Sequence, residues 1–130
     1  MRVEIFHIKY PETAKGRSSW SKRYGLNALY STSKNRWERT SDKDFWHTLV
    51  MLELNRCRIK RAEFTAPARI TFLWDDGLDI DNHAYMGKMI VDALKGYLLH
   101  DDSRKWLVEV RHRFHDEKRI TVIVEEVAGR

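Results

Sequence analysis

The chain has a single cysteine, Cys57, in 130 residues. An intrachain disulfide framework is excluded, and the absence of any CxxC pair removes zinc or redox chemistry built on paired thiols. An intracellular protein is the default expectation, with the cytoplasm as its compartment. Proline occurs only at Pro11 and Pro67, and glycine six times, too few for a collagen-like or low-complexity chain. No apolar run approaches membrane-spanning length, and residues 1–7 hold no apolar signal core, so a membrane is not an expected partner. GxGxxG, P-loop and HExxH patterns are all missing, which leaves dinucleotide, nucleoside-triphosphate and zinc-protease chemistry without a motif.

A hydrophobic fraction of 42% and a charged fraction of 33% fit a soluble globular protein. The length suits one domain over residues 1–130, large enough to fold without a metal or a disulfide. The net charge of +5 is unevenly spread. Residues 15–69 carry 13 Lys/Arg against 5 Asp/Glu, whereas residues 70–104 carry 3 against 7. A basic half attracts phosphates and releases their counterions, and an acidic segment beside it can hold a cation. Ordinary surface charge is the plainer explanation.

Periodicity outlines an α+β fold. Residues 3–9 read as a β-strand ended by Pro11. Residues 11–40 lack a clean period and read as a long, partly ordered connection in which Lys/Arg interleave with Trp20, Tyr24, Tyr30 and Trp37. Such rings can stack on bases, and about half of them are expected to cover the core instead. Ser41 and Asp44 resemble a capping box for a helix running to about residue 60, with Phe45, Leu49 and Leu52 on its apolar face. Cys57, near its basic end, reads as a small core residue.

A strand follows Pro67, with Ile70, Phe72 and Trp74 on one face, and Asp75-Asp76-Gly77 turns the chain. A second helix is predicted over 83–95, capped by Asp81 or Asn82 and closed by Gly96. The end reads as a hairpin. Trp106, Val108 and Val110 alternate, residues 115–118 turn, and Ile120, Val122 and Val124 alternate back. His112 and His115 fall near that hairpin's end and read as solvent-exposed. The expected architecture is one α+β domain, with two main helices packed on a mostly antiparallel or mixed sheet.

The chemistry concentrates between Asp79 and Asp102. Asp79 and Asp81, two apart, face the same way in an extended segment and can share a hard cation. On the following helix, positions 81, 85, 88 and 92 form one stripe, so Lys88 and Asp92 share a side with Asp81. Gly96 turns the chain back, which can return Asp101 and Asp102 to the same place. Carboxylates, a divalent metal and a lysine suit in-line attack of water on a phosphodiester. The competing reading is a solvated helix with acidic caps and a Lys88/Asp92 surface pair.

The combined pattern resembles the RusA family of Holliday junction resolvases. The matching residues are Leu78-Asp79-Ile80-Asp81-Asn82, Lys88, Asp92-Ala93-Leu94, Gly96 and Leu99-His100-Asp101-Asp102. Upstream, Gly25-Leu26-Asn27-Ala28-Leu29-Tyr30 is similar to the family's Asn-x-x-Tyr segment. The resemblance implies a RusA-like fold and a homodimer that nicks four-way DNA junctions symmetrically with Mg²⁺ or Mn²⁺. It implies that Asp79, Asp81 and Asp102 hold metal, that Lys88 is the active-site lysine, and that Asp101 either ligates or supports. Asn27 and Tyr30 would lie near the junction, with Lys34, Arg36 and Arg39 among the groups gripping the backbone. Asp92 would anchor the helix. The chain departs from the pattern where Asp75-Asp76-Gly77-Leu78 replaces the family's basic residues, and in a longer interval from Asn82 to Asp92. A non-catalytic nucleic-acid-binding protein of the same fold is the alternative.

Overall fold

A computed structural model describes residues 1–30 and 34–127. They form one α+β domain around a four-stranded mixed sheet. The strands are β1 (Val3–Lys9), β2 (Ala68–Trp74), β3 (Leu107–Phe114) and β4 (Arg119–Glu126), in the order β1-β4-β2-β3. The β1/β4 and β2/β4 pairs are antiparallel, and β2/β3 is parallel.

Alternation decides which sheet face is buried. Phe6 and Ile8, Ile70, Phe72 and Trp74, and Ile120, Val122 and Val124 all point the same way and are fully buried. The helices α3 (Arg36–Arg56) and α4 (Ala84–Leu94) supply Trp46, Val50, Leu54, Met86, Ile90 and Leu94 to the same core. Among the described residues no helix is long and apolar enough to cross a membrane.

The expected terminal hairpin does not form. β3 and β4 are consecutive in sequence, but β2 lies between them. The turn over 115–118 bridges the end of β2: the His115 N–H donates to Trp74 O at 3.0 Å and the Lys118 N–H to Asp75 Oδ2 at 2.7 Å. Turn signals report only that the chain reverses, not whether a third strand occupies the gap. Since β3 is an edge strand, its alternating residues Val108 and Val110 stay 40% and 42% exposed.

The expected loop over 11–40 is also corrected, apart from residues 31–33, which lie outside the described residues. It contains α1 (Ala14–Tyr24) and the short α2 (Leu26–Leu29), and α3 already begins at Arg36. Thr13 caps α1 by accepting the Gly16 N–H at 3.0 Å. Glycine and three serines give α1 little intrinsic propensity, so tertiary contact holds it. Trp20 and Tyr24, one turn apart, are buried edge-on against Trp46, with ring centroids 5.0 and 5.4 Å away. Of the four interleaved aromatics these two enter the core, while Tyr30 and Trp37 remain 76% and 78% exposed.

Helix α3 is capped by Asn35, which accepts the Glu38 N–H at 3.0 Å. Ser41 and Asp44 therefore lie inside the helix rather than at its start, and α3 ends at Arg56 rather than near residue 60. Its buried line is Asp42, Trp46, Val50, Glu53 and Leu54. The predicted face, Phe45-Leu49-Leu52, is turned outward by about one residue. Phe45 and Leu52 are more than two-fifths exposed, and Phe45 stacks on Tyr24. Cys57, expected in the core, is exposed at the helix end.

Gly96 sits at φ +80° after α4, in the left-handed region the sequence called for. Its N–H donates to Leu99 O at 2.7 Å, and Arg61 Nε donates to Gly96 O at 2.7 Å. A Cβ at this position has room, so Gly96→Ala is expected to cost only the conformational term, about 1–2 kcal/mol. Equilibrium urea unfolding measures it.

Candidate functional site

Asp79 and Asp81 lie on a surface turn at the entry to α4. Residues Ile80–His83 form one 3-10 turn, closed by the Asn82 N–H donating to Asp79 O at 3.0 Å. Asp81 and Asn82 are part of that turn and do not cap α4. Its N-terminal neighbour is His83, which makes no side-chain cap. The Asp79 and Asp81 carboxylates are exposed.

A buried clamp holds this turn. Asp76 accepts hydrogen bonds from Tyr10 OH at 3.0 Å and from the Leu78 N–H at 3.0 Å. His83 Nε2 stands 2.8 and 2.9 Å from its two oxygens. On the other side of the ring, His83 Nδ1–H donates to Ile80 O at 3.0 Å. His83 is fully buried and stacks on Trp74 at 4.5 Å. Tyr10 OH also accepts the Asp75 N–H at 2.9 Å, and burial raises its phenol well above the usual range. The acidic Asp75-Asp76 pair is thus structural. Asp76→Ala would leave buried donors of His83, Tyr10 and Leu78 without their acceptor. It is expected to cost about 2 kcal/mol, read by chemical denaturation.

The second half of the window meets at Lys88. Its ammonium donates to Asp92 Oδ1 at 3.1 Å and to Asp102 Oδ2 at 3.2 Å. The predicted return of the chain after Gly96 therefore brings Asp102 to the helix stripe. Lys95 joins the same two carboxylates, 3.2 Å from Asp92 and 3.5 Å from Asp102. Hydrogen bonds to Asp92 and then Asp102 raise the Lys88 pKa against the opposing effect of burial. The Lys88 hydrogen bond lowers that of Asp102. Lys88 is therefore an ammonium, and Asp102 a carboxylate, at neutral pH. Lys95 was not singled out from sequence, although its i,i+3 spacing from Asp92 is a helical-pair signal. Asp101 is exposed.

Lys88 and Asp102 stand at a cleft of about 240 Å³ between α4 and β3, whose walls include Val91, Leu107, Val110 and His112. Asn27 faces a second cleft, about 390 Å³, with Leu78 and Asn82, and so sits beside the Asp79–Asn82 turn. A larger cleft of about 630 Å³, between Tyr10, Arg17 and the 117–119 segment, holds charges of both signs and none of the predicted site residues.

The predicted backbone-gripping residues divide. Arg36 and Arg39 are exposed in the first turn of α3, and Tyr30 is exposed beside α2. Lys34 is turned inward. Its side chain is only 7% exposed, and its ammonium donates to Asp42 Oδ2 at 2.7 Å and to Arg23 O at 2.9 Å. Asp42, fully buried, also receives Arg23 Nε at 2.8 Å and Tyr85 OH at 2.8 Å. This hub ties α1, α3 and α4 together, and its attraction for Lys34 removes that lysine from the expected phosphate contacts.

Oxygen-only donors of the kind Asp79, Asp81 and Asp102 present match Mg²⁺ or Mn²⁺ in chemistry. Among the described residues no group of three or more Asp, Glu, His or Cys side chains is gathered closely enough to hold a metal ion. No model of a known protein family matches the chain, and no curated protein matches it.

Proposed function

We propose that this protein is a Mg²⁺-dependent, structure-selective endodeoxyribonuclease of the RusA type. It would act as a homodimer in the cytoplasm, resolving four-way junctions by paired nicks in recombination and repair. The observation that carries this reading is the meeting of Lys88 with Asp102 across 14 positions of sequence, on the helix that Asp81 leads into. Asp79, Asp81 and Asp102 do not already surround a site; drawn together around a cation when DNA binds, they would let it supply an activated water and neutralise phosphate charge. Lys88, already an ammonium, faces the phosphate and stabilises charge developing on its oxygens. Arg36, Arg39, Asn27 and Tyr30 contact the DNA beside it.

The alternative, DNA binding without cleavage, draws on one observation: Lys88 and Lys95 both lie against Asp102. The two readings separate in one experiment. A labelled synthetic four-way junction is incubated with the protein and Mg²⁺. Paired, symmetric nicks are expected. Salt-sensitive binding indifferent to Mg²⁺, with every strand intact, would leave the non-catalytic reading in its place.

A further inference from the structure

His112 enters the α4–β3 cleft with one ring nitrogen already committed. Trp74 Nε1 lies 3.0 Å from His112 Nδ1. An indole nitrogen can only donate, so Nδ1 is the acceptor and the ring proton resides on Nε2. The imidazole stacks on Phe72 at 5.3 Å and lies nearly parallel to Trp74, 10° between planes. Its orientation is thereby fixed. Burial, and then the neighbouring His83, lowers its pKa, which keeps the ring neutral around pH 7.

The other edge of the ring faces α4 at Gly87. A Cβ there would stand 3.1 Å from His112 Cε1 and 3.3 Å from Phe72, so a glycine is what lets the imidazole approach the helix. His112 lines the same cleft as Lys88 and Asp102. Its Nε2–H has no acceptor among the described residues, yet Nε2 is not among the buried atoms lacking a partner. A half-buried donor open to a cleft is served by water or by a ligand.

We infer that His112 is a substrate-contacting residue whose neutral Nε2–H donates to a non-bridging oxygen of the DNA phosphodiester lodged beside Lys88. The inference rests on the nuclease reading of this cleft. The division of labour is chemical. Lys88 brings charge, His112 brings a directed donor without further charge, and Val91, Leu107 and Val110 offer an apolar wall to the adjoining deoxyribose.

The test uses Asp81→Asn protein labelled with ¹⁵N, so that junction DNA with Mg²⁺ stays uncut while ring nitrogens are followed by NMR. In the free protein, His112 is expected to be protonated on Nε2 only. At saturating junction the Nε2–H resonance should shift, with Nδ1 still unprotonated. In the otherwise wild-type chain, His112→Ala should slow cleavage about 10- to 100-fold, the range for a lost hydrogen bond to a charged group. His112→Gln, which keeps an N–H at similar reach, should restore most of that loss. An unmoved Nε2 signal at saturation overturns the inference while leaving the nuclease reading intact, whether or not the alanine variant folds. A protein that binds no junction removes the nuclease reading, and the inference with it.

Discussion

Asp81→Asn is expected to lower junction cleavage at least about 100-fold in Mg²⁺ while leaving the thermal midpoint unchanged. The first half follows from charge. An amide keeps the shape of the carboxylate but loses the anionic oxygen a hard cation requires. The second half follows from position, since Asp81 is exposed on the 3-10 turn and surface substitutions of this kind barely alter folding. Asp92→Asn supplies the contrast. Asp92 holds Lys88 and Lys95 along the helix, so its loss should cost about 0.5 kcal/mol and leave cleavage within the working range of the assay. Gel-resolved nicking and a thermal melt of both variants decide the matter. If Asp81→Asn cuts at the full rate, Asp81 has no place in the site.

Asp42→Ala is expected to be the most damaging single change to the fold, at about 3–5 kcal/mol. It would strand Lys34, whose side chain is 7% exposed, and remove the acceptor shared with Arg23 and Tyr85. Burial disfavours the charged form of Asp42, but hydrogen bonds from Lys34, Tyr85 and Arg23 outweigh it, and its pKa is lowered. The direction fixes the pH dependence. A carboxyl with a depressed folded-state pKa contributes its stability in full above the unfolded value, about 4, and loses it as pH falls through the folded value. Urea midpoints for wild type should therefore fall below about pH 4, and Asp42→Ala should show a shallower fall. Equal slopes for the two proteins would mean that Asp42 does not carry this dependence.

The carboxylate window shows how much of the candidate site was legible. Helical spacing placed Lys88 and Asp92 on one side, and Gly96 marked the reversal, so the approach of Asp102 to Lys88 could be anticipated. His83 and Asp76 could not. Their contact depends on where the turn sits against Trp74, and no local pattern encodes it. His112 is hidden from local pattern for a related reason. The sequence places it at an exposed hairpin end, but strand β3 lies beside β2, and the register sets His112 against Phe72. His115, expected in solvent, likewise has only 11% of its side chain exposed, because its turn crosses the end of β2.

Lys34 makes the same point about charge. A count of basic residues identifies a surface that attracts phosphate but cannot tell which lysine will be drawn inward by a buried aspartate. Sequence by itself determined the strand alternation that builds the core, the left-handed turn at Gly96, and the nearness of Lys88 to Asp92. These are local, set by a period of two residues or of 3.6, or by one φ angle. Only tertiary structure decided the insertion of β2 between β3 and β4, the Asp42 hub, the clamp on His83, and the tautomer of His112. Each depends on contacts between segments far apart in the chain, where burial and donor–acceptor matching, rather than local propensity, choose the partner.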